Sequence, residues 1–378
     1  MKTRGNFDRP LVSSHVQTQR NKFYRKLVMI ATTAALVVCF LTLVTPALAE
    51  FAYVANFGSN NISGYRIKKN GSLKPVPRSP FQAGKEPFAI AVDLFGRFLY
   101  TTNNGDNNVS GFHINTNGSL TPLPGSPFQT GRVPGNVAVD PLGRFVYVVN
   151  GADNTVAGFQ IGFDGSLTPV PGSPFQAGRE AFGIAVDLFG RFVYVTNVTD
   201  NDVSAYSIGS NGALTPISGS PFAAGTEPSS ILVDILRRLA YVTNIVNTVS
   251  GFQIQENGAL TPVPDSPFAA GITPRSLAVA PHIAFGGFLY AANAGDSTIS
   301  GFLIQENGDL TPVSGSPFAG GVNPISVAVD FFGRFLYSAN DGSKNVSGYR
   351  IEKNGSLVPV PGSPFAAENS PAFVAISP

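Results

Sequence analysis

The sequence predicts an all-β protein: a seven-bladed β-propeller with four antiparallel strands in each blade. Three observations support this prediction. A unit of 47 residues is repeated seven times, each copy contains four short strand-like segments separated by turns, and the two ends of the repeated region supply complementary parts of one blade. Repeats of roughly 40–50 residues with four strands each are typical of propeller blades.

The repeat is defined by three landmarks. A tyrosine marks each copy, an asparagine follows three residues later, and a Ser-Pro-Phe triplet comes near the end of the unit. The spacing is 47 residues except in the fifth and sixth copies, where one loop is shorter and one hairpin is longer. The landmarks are the tyrosines Tyr53, Tyr100, Tyr147, Tyr194, Tyr241, Tyr290 and Tyr337, the asparagines Asn56, Asn103, Asn150, Asn197, Asn244, Asn293 and Asn340, and the triplet phenylalanines Phe81, Phe128, Phe175, Phe222, Phe268, Phe318 and Phe365.

One copy, residues 182–222, shows the predicted strands in order. The first is GIAVD, the second RFVYVTN, the third DVSAYSI and the fourth LTPISGSPF. Gly190 lies in the hairpin loop between the first two, where a left-handed residue is needed, and Asn-Gly marks the turn between the third and the fourth. Because proline cannot donate to a ladder and is confined to edge strands, the proline-containing fourth strand is expected at the outer edge of the blade.

The second strand is apolar on both faces, since Phe192 and Tyr194 point to one side and Val193 to the other. Sheets stacked around an axis would cover both faces. The repeated region begins with a second strand, FAYVAN, and ends with a first strand, AFVAISP. We expect residues 373–377 to pair with residues 51–56 and close the ring, because an open array of repeats would require caps.

The first 49 residues form a separate segment. Basic residues in NKFYRK precede an apolar run of 18 residues, 27–44, and an Ala-x-Ala site ends at Ala49. This order is typical of a secretory signal, so we predict a signal peptide at residues 1–49, a single propeller domain at residues 50–378, and a secreted or periplasmic protein. The alternative is an uncleaved anchor at residues 27–44, which is long enough to span a bilayer and is the only contact with a membrane that we expect.

Composition limits the chemistry of the domain. The single cysteine, Cys39, lies in the apolar run, so the domain has no disulfide, thiol nucleophile or cysteine-based metal site. Of 25 basic and 23 acidic residues, seven basic and one acidic precede Glu50, which leaves 18 basic and 22 acidic residues in the domain. Without a basic cluster, nucleic acid is not an expected partner. We expect a monomer that needs no cofactor or metal.

Several motifs resemble those of a known family. YVTN stands at residues 194–197 and 241–244, VSGF at 109–112, and NGSLTPLPGSPF at 117–128. From residue 51 onward the chain resembles the YVTN-repeat propellers, which are grouped with the lactonase-type, 6-phosphogluconolactonase-like seven-bladed propellers. The absence of tryptophan excludes the Trp-Asp repeat propellers. The resemblance implies hydrolysis of a sugar lactone in a cleft near the axis built from His, Arg and Glu, whereas other YVTN-repeat proteins are secreted or cell-surface proteins with binding roles.

The loops that join the fourth strand of one unit to the first strand of the next differ most among the copies. They are AGKEPF, TGRVPG, AGREAF, AGTEPS, AGITPR, GGVNPI and AENSPA. With the second-to-third loops they form one end of the ring, and variation there is expected of a site built on a repeated scaffold. The ligand-binding candidates are Lys85, Glu86, Arg132, Arg179, Glu180, Glu227 and Arg275. The catalytic candidates among them are Arg179, Glu180, Glu227 and Arg132, with Arg for an anionic group and Glu as general base; alternatively, these are solvated loop charges.

Other candidate groups have simpler structural explanations. His113 lies on a third strand at a position where the copies vary, so we expect it to face solvent, and His282 lies in the enlarged loop at the opposite end. Neither supplies the histidine that the resemblance implies. The repeated serines of SPF and VSGF have no histidine partner and are expected to be turn or strand residues. The Asp- and Asn-rich second-to-third loops could hold Ca²⁺, but capping of their own turns is the favoured interpretation.

Two functions are compatible with the sequence. The first is an exported binding scaffold that holds a protein, glycan or small-molecule ligand at this end of the ring without catalysis. The alternative is a lactonase-type hydrolase that opens a sugar lactone with Arg and Glu groups near the axis. The near uniformity of the copies and the missing histidine favour the first, and the sequence does not decide whether the protein is an enzyme.

Overall fold

Seven antiparallel sheets form a closed ring in the computed structural model, which describes residues 50–234, 237–281 and 287–377. The innermost strand of each sheet contacts the innermost strand of the next, and the seventh contacts the first. This arrangement confirms the seven-bladed propeller that the repeat predicts. The predicted signal peptide, residues 1–49, lies outside the described residues.

Each blade contains five strand segments: an inner strand, a second strand, a third strand, and two short outer segments that both pair with the third strand. Blade 1 consists of β35 (Pro371–Ser377), β1 (Phe51–Asn56), β2 (Asn61–Ile67), β3 (Leu73–Pro75) and β4 (Phe81–Gln82); blade 2 of β5 (Pro87–Val92), β6 (Phe98–Asn103), β7 (Asn108–Ile114), β8 (Leu120–Pro122) and β9 (Phe128–Gln129); blade 3 of β10 (Pro134–Val139), β11 (Phe145–Asn150), β12 (Thr155–Ile161), β13 (Leu167–Pro169) and β14 (Phe175–Gln176); blade 4 of β15 (Ala181–Val186), β16 (Phe192–Asn197), β17 (Asp202–Ile208), β18 (Leu214–Pro216) and β19 (Phe222–Ala223); blade 5 of β20 (Pro228–Asp234), β21 (Leu239–Asn244), β22 (Thr248–Ile254), β23 (Leu260–Pro262) and β24 (Phe268–Ala269); blade 6 of β25 (Pro274–Ala280), β26 (Phe288–Asn293), β27 (Thr298–Ile304), β28 (Leu310–Pro312) and β29 (Phe318–Ala319); blade 7 of β30 (Pro324–Val329), β31 (Phe335–Asn340), β32 (Asn345–Ile351), β33 (Leu357–Pro359) and β34 (Phe365–Ala366).

The outer strand of each blade is interrupted, which differs from the continuous fourth strand predicted from the sequence. In blade 4, β18 and β19 pair separately with β17. The turn between them contains a cis peptide bond at Ser220–Pro221, and all seven Ser-Pro-Phe triplets share this feature. Proline lacks the N–H that a continuous ladder needs. The Ser220 hydroxyl instead accepts the backbone N–H of Ala205 at 2.9 Å, so the triplet serine has a structural role.

The hydrophobic core consists of seven clusters, each between two neighbouring blades. All six residues of β16 are buried. Val193 packs with Tyr147 of blade 3, whereas Phe192 packs with Phe252 of blade 5. A neighbouring blade thus covers each face of the second strand. This confirms the explanation predicted for its two apolar faces.

Each landmark tyrosine is fully buried and donates its hydroxyl hydrogen to a backbone carbonyl in the next blade. The acceptor is always the glycine of the turn between the third strand and the outer strand. We call this bond the tyrosine latch. The seven latches are Tyr53–Gly118, Tyr100–Gly165, Tyr147–Gly212, Tyr194–Gly258, Tyr241–Gly308, Tyr290–Gly355 and Tyr337–Gly71, with O···O distances of 2.7–2.9 Å.

The ring is closed by the C-terminal strand. β35 is the inner strand of blade 1 and pairs antiparallel with β1, with Phe51 opposite Ser377 and Val54 opposite Val374. This confirms the predicted pairing of the two ends of the repeated region. In the described part of the chain, the helical structure is a single turn, η1 (Phe57–Ser59), and no helix there is long and apolar enough to cross a membrane.

Candidate functional site

The inner strands carry a β-bulge at the end of the ring that holds the variable loops. In blade 4, Ala181 pairs with Asn197 and Ile184 with Val195, so Phe182 and Gly183 have no directly opposite partner. Every inner strand shows a register shift at the same point. Bulges redirect side chains and are common beside active sites. The bulge therefore sets which side chains face the axis.

Bulge residues from all seven blades line one cavity of about 440 Å³, which must therefore lie on the axis of the ring. We call it the axial mouth. Most of its lining is apolar. Phe88 and Phe182 pack edge to face with ring centroids 5.6 Å apart, and Phe57 packs against Phe88 at 6.5 Å. The inner-strand residues that line the mouth at the bulge or next to it are Phe88, Asn136, Phe182, Ser230, Arg275, Ser276, Ile325, Ala372 and Phe373.

Arg275 is the charged residue of the axial mouth. It lies at the bulge of β25 and its side chain is exposed. Within the described residues, its guanidinium takes part in no ion pair or hydrogen bond. Thr273 and Asn323 contribute polar groups beside it. An unpaired guanidinium in a mostly apolar recess is suited to bind an anion or a developing oxyanion.

A second cavity of about 410 Å³ adjoins the mouth and shares Arg275 and Phe182 with it. Glu180 supplies the carboxylate of this side cavity, and its Oε2 accepts the hydroxyl hydrogen of Thr199 at 2.6 Å. The backbone of Glu180 is left-handed, with φ 52°. Its N–H donates to Oδ1 of Asn154 in the preceding blade at 2.8 Å, which stabilises this uncommon conformation. The two predicted residues Arg275 and Glu180 thus border one cavity.

An axial channel of about 240 Å³ continues from the mouth along the inner strands. Asn136, Ser230, Ser276 and Phe373 border both spaces. Beyond them the inner strands surround the channel, and each of these strands pairs on one edge only. Unpaired backbone N–H and C=O groups therefore face the axis, while aliphatic side chains such as Ile184 pack between the blades.

The other cationic candidates do not line these cavities. Arg132 and Arg179 form ion pairs with Asp153 and Asp200, each with Nε···Oδ1 of 2.6 Å, and their side chains are 71% and 69% exposed. The backbone N–H of each arginine also donates to the same carboxylate. The backbone N–H bonds make the largest contribution to lowering the pKa of both aspartates, and the guanidinium bonds lower it further. Lys85 occupies the equivalent position and donates its N–H to Asp106 at 2.7 Å.

Glu86 and Glu227 occupy the same left-handed loop position as Glu180, in blades 2 and 5. Their N–H groups donate to Asn60 and Asn201 of the preceding blade, both at 2.8 Å. Neither glutamate borders the axial mouth, the side cavity or the channel. The structure thus groups Glu180 and Arg275 and leaves the other five candidates on the outer loops.

The Asp and Asn side chains of the second-to-third loops cap backbone N–H groups, but mainly those of the adjacent variable loop rather than their own turn. Asp200, for example, accepts the N–H of Arg179 at 2.6 Å. Asn197, the landmark asparagine, accepts the N–H of Gly178 at 3.0 Å. In residues 50–234, 237–281 and 287–377, no three His, Cys, Asp or Glu side chains converge as metal ligands.

His113 is exposed on β7 and packs beside Phe98, with ring centroids 6.1 Å apart. It borders a groove with Arg97 and Phe163, remote from the axial mouth. The exposure of His113 confirms the predicted solvent-facing position. His282 lies outside the described residues.

Sequence reasoning missed the aromatic part of the mouth. Phe88, Phe182 and Phe373 look like core residues in the sequence, because they stand in strands rich in apolar residues. A signal was nevertheless present. The one or two residues that follow the first position of each inner strand differ from copy to copy, whereas the rest of the strand is nearly constant.

A seven-bladed propeller with a site on its axis is the class of protein that this fold and cavity define. The chain belongs to the family described as "Lactonase, 7-bladed beta-propeller", whose model matches residues 42–244 and 184–374. This confirms the resemblance that the repeated motifs indicate. No curated protein matches the chain in sequence.

Solved structures share the fold at low sequence identity. A candidate 6-phosphogluconolactonase from Bacteroides fragilis superposes with a TM-score of 0.77 at 18% identity, covering 88% of this chain and 99% of that one. A protein from Lactobacillus plantarum gives 0.73 at 17% identity, with coverage of 87% and 100%. The periplasmic gluconolactonase of Pseudomonas aeruginosa gives 0.71 at 18% identity, with coverage of 87% and 99%. At these identities the likeness establishes the fold alone.

Proposed function

We propose that this protein hydrolyses a lactone in the axial mouth, with Arg275 as the electrophilic group and Glu180 as the general base. One observation carries the proposal: a guanidinium without a protein partner and a carboxylate border the same cavity. Membership of the lactonase family supports the reaction class. The similarity to a gluconolactonase supports it at the level of fold.

The reaction requires a water molecule to attack the lactone carbonyl carbon. Glu180 accepts a proton from that water as the new C–O bond forms, and the carbonyl oxygen becomes an oxyanion. Arg275 donates hydrogen bonds to this oxyanion, which is stabilised more strongly than the neutral carbonyl. The ring C–O bond then breaks, and Glu180 returns its proton to the departing alkoxide. The product is an open-chain hydroxy acid, which loses a proton at neutral pH.

The apolar wall of the mouth contributes to this chemistry. Phe88 and Phe182 supply apolar surface to the mouth that Arg275 also lines, where the apolar part of a bound lactone would pack. Thr199 holds the carboxylate of Glu180 in one orientation through its 2.6 Å hydrogen bond, which a general base requires.

The test is acid release at fixed pH from glucono-δ-lactone and from 6-phosphogluconolactone, after subtraction of spontaneous hydrolysis. We expect Arg275→Ala to reduce kcat about 10²- to 10³-fold, as removal of an oxyanion donor does. Glu180→Gln should reduce it about 10²- to 10⁴-fold. Arg132→Ala and Arg179→Ala are matched controls, because both arginines lie on equivalent loops outside the mouth, and their rates should equal that of the wild type. Equal losses in all four variants would contradict the assignment.

Binding without catalysis is the second candidate. It is favoured by one observation: among the described residues that line the mouth there is no histidine, although the family resemblance implies one. Under this alternative, lactones and their hydroxy acids bind the mouth with an affinity that Arg275→Ala lowers, while hydrolysis stays at the spontaneous rate. Calorimetry and the acid-release assay on the same samples distinguish the two functions.

We also propose export, from the sequence of residues 1–49 alone. A charged lead, an apolar run and an Ala-x-Ala site support it. N-terminal sequencing of the protein recovered from cell fractions tests it. A protein that begins at Glu50 in the periplasm or medium supports cleavage, intact protein in the membrane fraction supports the anchor at residues 27–44, and intact protein in the cytoplasm contradicts export.

A further inference from the structure

We infer that the end of the ring opposite the axial mouth docks on the surface of a lipid bilayer that contains anionic headgroups. The sequence predicts contact with a membrane through residues 27–44 only, so this is a second contact, made by the propeller itself. The inference is independent of the proposed function. It depends on three features of this end: exposed aromatic side chains, the point where the chain enters the ring, and the distribution of basic residues.

The hairpins between the first and second strands form this end of the ring, which we call the hairpin face. Hairpins of neighbouring blades contact one another. Arg144 of blade 3 donates to the carbonyl oxygen of Gly190 in blade 4 at 2.9 Å, and a Cβ added at Gly143 would lie 3.5 Å from the ring of Phe95 in blade 2. Because equivalent positions of the repeat lie at the same level around the axis, the hairpins form a broad surface rather than a groove.

Large apolar side chains are exposed to solvent at the hairpin face. Every exposed phenylalanine among the described residues lies there, in a hairpin or in the adjacent turn after the third strand, whereas the exposed apolar residues of the loops at the mouth end are aliphatic. Phe163 is fully exposed, and the other members are 41–52% exposed. Single exposed apolar residues are ordinary, but several on one face mark an interaction surface. The set is Phe95, Leu142, Phe163, Phe189 and Phe332.

Arginines hold three of these rings in place. Cζ of Arg97 lies 5.0 Å from the centroid of the Phe95 ring. The equivalent distances are 5.2 Å for Arg191 and Phe189 and 4.9 Å for Arg334 and Phe332. Each arginine also forms an ion pair with the aspartate at the start of its own hairpin. Side chains that are already ordered lose less entropy when they dock.

The chain enters the ring at the hairpin face. Glu50, the first described residue, forms an ion pair with Arg334 of blade 7, and its carbonyl oxygen accepts the N–H of Ile67 at 2.9 Å. Five residues separate Glu50 from the apolar run at 27–44, and five residues span at most about 18 Å. An anchor at this run would therefore hold the hairpin face, and not the mouth, near the bilayer.

Basic residues cluster on the two blades beside the entry point. Glu352 is interspersed among them and pairs with Arg350. Exposed acidic residues of the corresponding turns lie on other blades, at Asp164, Glu256 and Glu306. Anionic headgroups attract such a basic region, and apolar side chains beside it enter the boundary between headgroups and acyl chains. The exposed basic residues are Arg66, Lys68, Lys69 and Lys74 of blade 1 and Arg350 and Lys353 of blade 7.

The shape of the hairpin face favours a lipid surface over a protein partner. A bilayer contacts equivalent hairpins at one level simultaneously, whereas a protein partner would require a surface of matching relief. The axial mouth would then open away from the bilayer, because the variable loops lie at the other end of the inner strands.

Introduced tryptophans test the inference, because the chain has no tryptophan of its own. Phe189→Trp and Phe332→Trp place an indole on the hairpin face, and Val322→Trp is the matched control at an exposed loop of the mouth end. The full-length variants are mixed with vesicles of phosphatidylcholine and phosphatidylglycerol that contain lipid brominated on its acyl chains. We expect the fluorescence of the two hairpin-face variants to shift to shorter wavelength and to be quenched, and that of the control to stay unchanged.

A second measurement removes the contribution of residues 27–44. Residues 50–378 contain all seven blades and both closing strands, so vesicle affinity can be measured on this segment by sedimentation. We expect Phe189→Ser and Phe332→Ser each to lower the affinity about three- to tenfold, because about half of each ring is available for burial. Val322→Ser should have no effect.

Three results would overturn the inference. The first is equal quenching of the hairpin-face variants and Val322→Trp, which would indicate non-specific adsorption or none. The second is equal affinity of the segment for vesicles of phosphatidylcholine alone, and the third is an affinity that the serine variants leave unchanged. Lactone hydrolysis does not enter either measurement, so failure of this inference and failure of the proposed function are distinguishable.

Discussion

Tyr337 in blade 7 donates its hydroxyl hydrogen to the carbonyl oxygen of Gly71 in blade 1 across 2.7 Å, although 266 residues separate the two along the chain. The same latch joins every other pair of neighbouring blades, so the closing contact of the ring is chemically equivalent to the six contacts made between consecutive units. Gly71 has φ +81°, and an added Cβ would lie 2.5 Å from Phe335. The latch thus requires tyrosine on one side and glycine on the other, which explains why both recur in every unit.

The first prediction concerns a single latch. Tyr194→Phe removes the donor to Gly258, at 2.9 Å, and leaves that buried carbonyl without a partner. We expect a loss of about 1–3 kcal/mol in the free energy of unfolding, with an unchanged circular dichroism spectrum. Urea unfolding measures it. Phe163→Ala, at a fully exposed ring, should have no effect, and an equal loss in both variants would contradict the role of the latch.

The second prediction concerns alkaline pH. Burial raises the pKa of all seven landmark tyrosines far above their ordinary value. The folded protein therefore retains phenolic protons that the unfolded chain releases above about pH 10. Burial also raises the pKa of Tyr65, Tyr206 and Tyr349. Stability should be unaffected by these phenols below that pH and should then fall with a slope that exceeds the seven protons of the landmark tyrosines and approaches ten.

Urea midpoints measured from pH 8 to pH 11 test this expectation. The Tyr194→Phe variant should show a slope smaller by one proton, because it has one such group fewer. A constant midpoint across this range would show that the phenols ionise without opening the interfaces between blades.

The third prediction concerns closure of the ring. Val374 is 1% exposed in β35, opposite Val54 of β1. Val374→Asp would bury an unpaired carboxylate in the closing sheet, and we expect it to cost about 3–5 kcal/mol. Val358→Asp is the matched control, because Val358 is 40% exposed on β33. Thermal unfolding should show a much lower Tm for the first variant only; similar values for both would mean that β35 is dispensable.

The fourth prediction concerns the landmark asparagine of blade 4. Asn197 donates to Asp202 at 2.6 Å and to Ser204 at 2.8 Å, and it accepts the N–H of Gly178 in the loop that carries Glu180. In Asn197→Asp both donated bonds are lost and a second carboxylate faces Asp202. We expect a loss of about 1–3 kcal/mol for each unsatisfied group, together with reduced lactone hydrolysis.

A pH comparison separates charge from shape in this variant. Protonation restores a donor to the new side chain, and its pKa should be raised by burial and by Asp202. The stability difference between Asn197→Asp and the wild type should therefore shrink as the pH falls from 8 to 5. A difference that stays constant over this range would indicate a steric cause.

The fold could be predicted because its determinants repeat. Tyr194, Asn197 and the Ser-Pro-Phe triplet each satisfy a requirement that every blade shares, so seven copies showed the architecture in a single sequence. The interrupted outer strand could not be predicted, because it depends on the Ser220 hydroxyl taking over a backbone contact. The pattern of prolines indicated an edge strand but not where pairing stops and resumes.

The site was predicted only in part. Arg275 and Glu180 were among seven candidates chosen by loop position and charge, and these two border the same side cavity. The separation from Arg132 and Arg179 depends on the bulge of the inner strand, which turns some side chains toward the axis and leaves others on the loops. A bulge changes the direction of side chains, but the sequence of a single repeat unit contains no pattern that reveals it. The phenylalanines of the mouth were missed for the same reason.

The bulge has a consequence for how this protein can change. Each blade presents one or two side chains at the mouth, and those residues form no part of the latch, the landmark hydrogen bonds or the triplet turn. Under the proposed function, selectivity for a ligand would be divided among side chains that seven blades contribute, some of which also contact one another, as Phe88 and Phe182 do. A combinatorial library at Phe88, Asn136, Phe182, Ser230, Arg275 and Ile325 would explore new ligands while the latches and the closing strand stay constant.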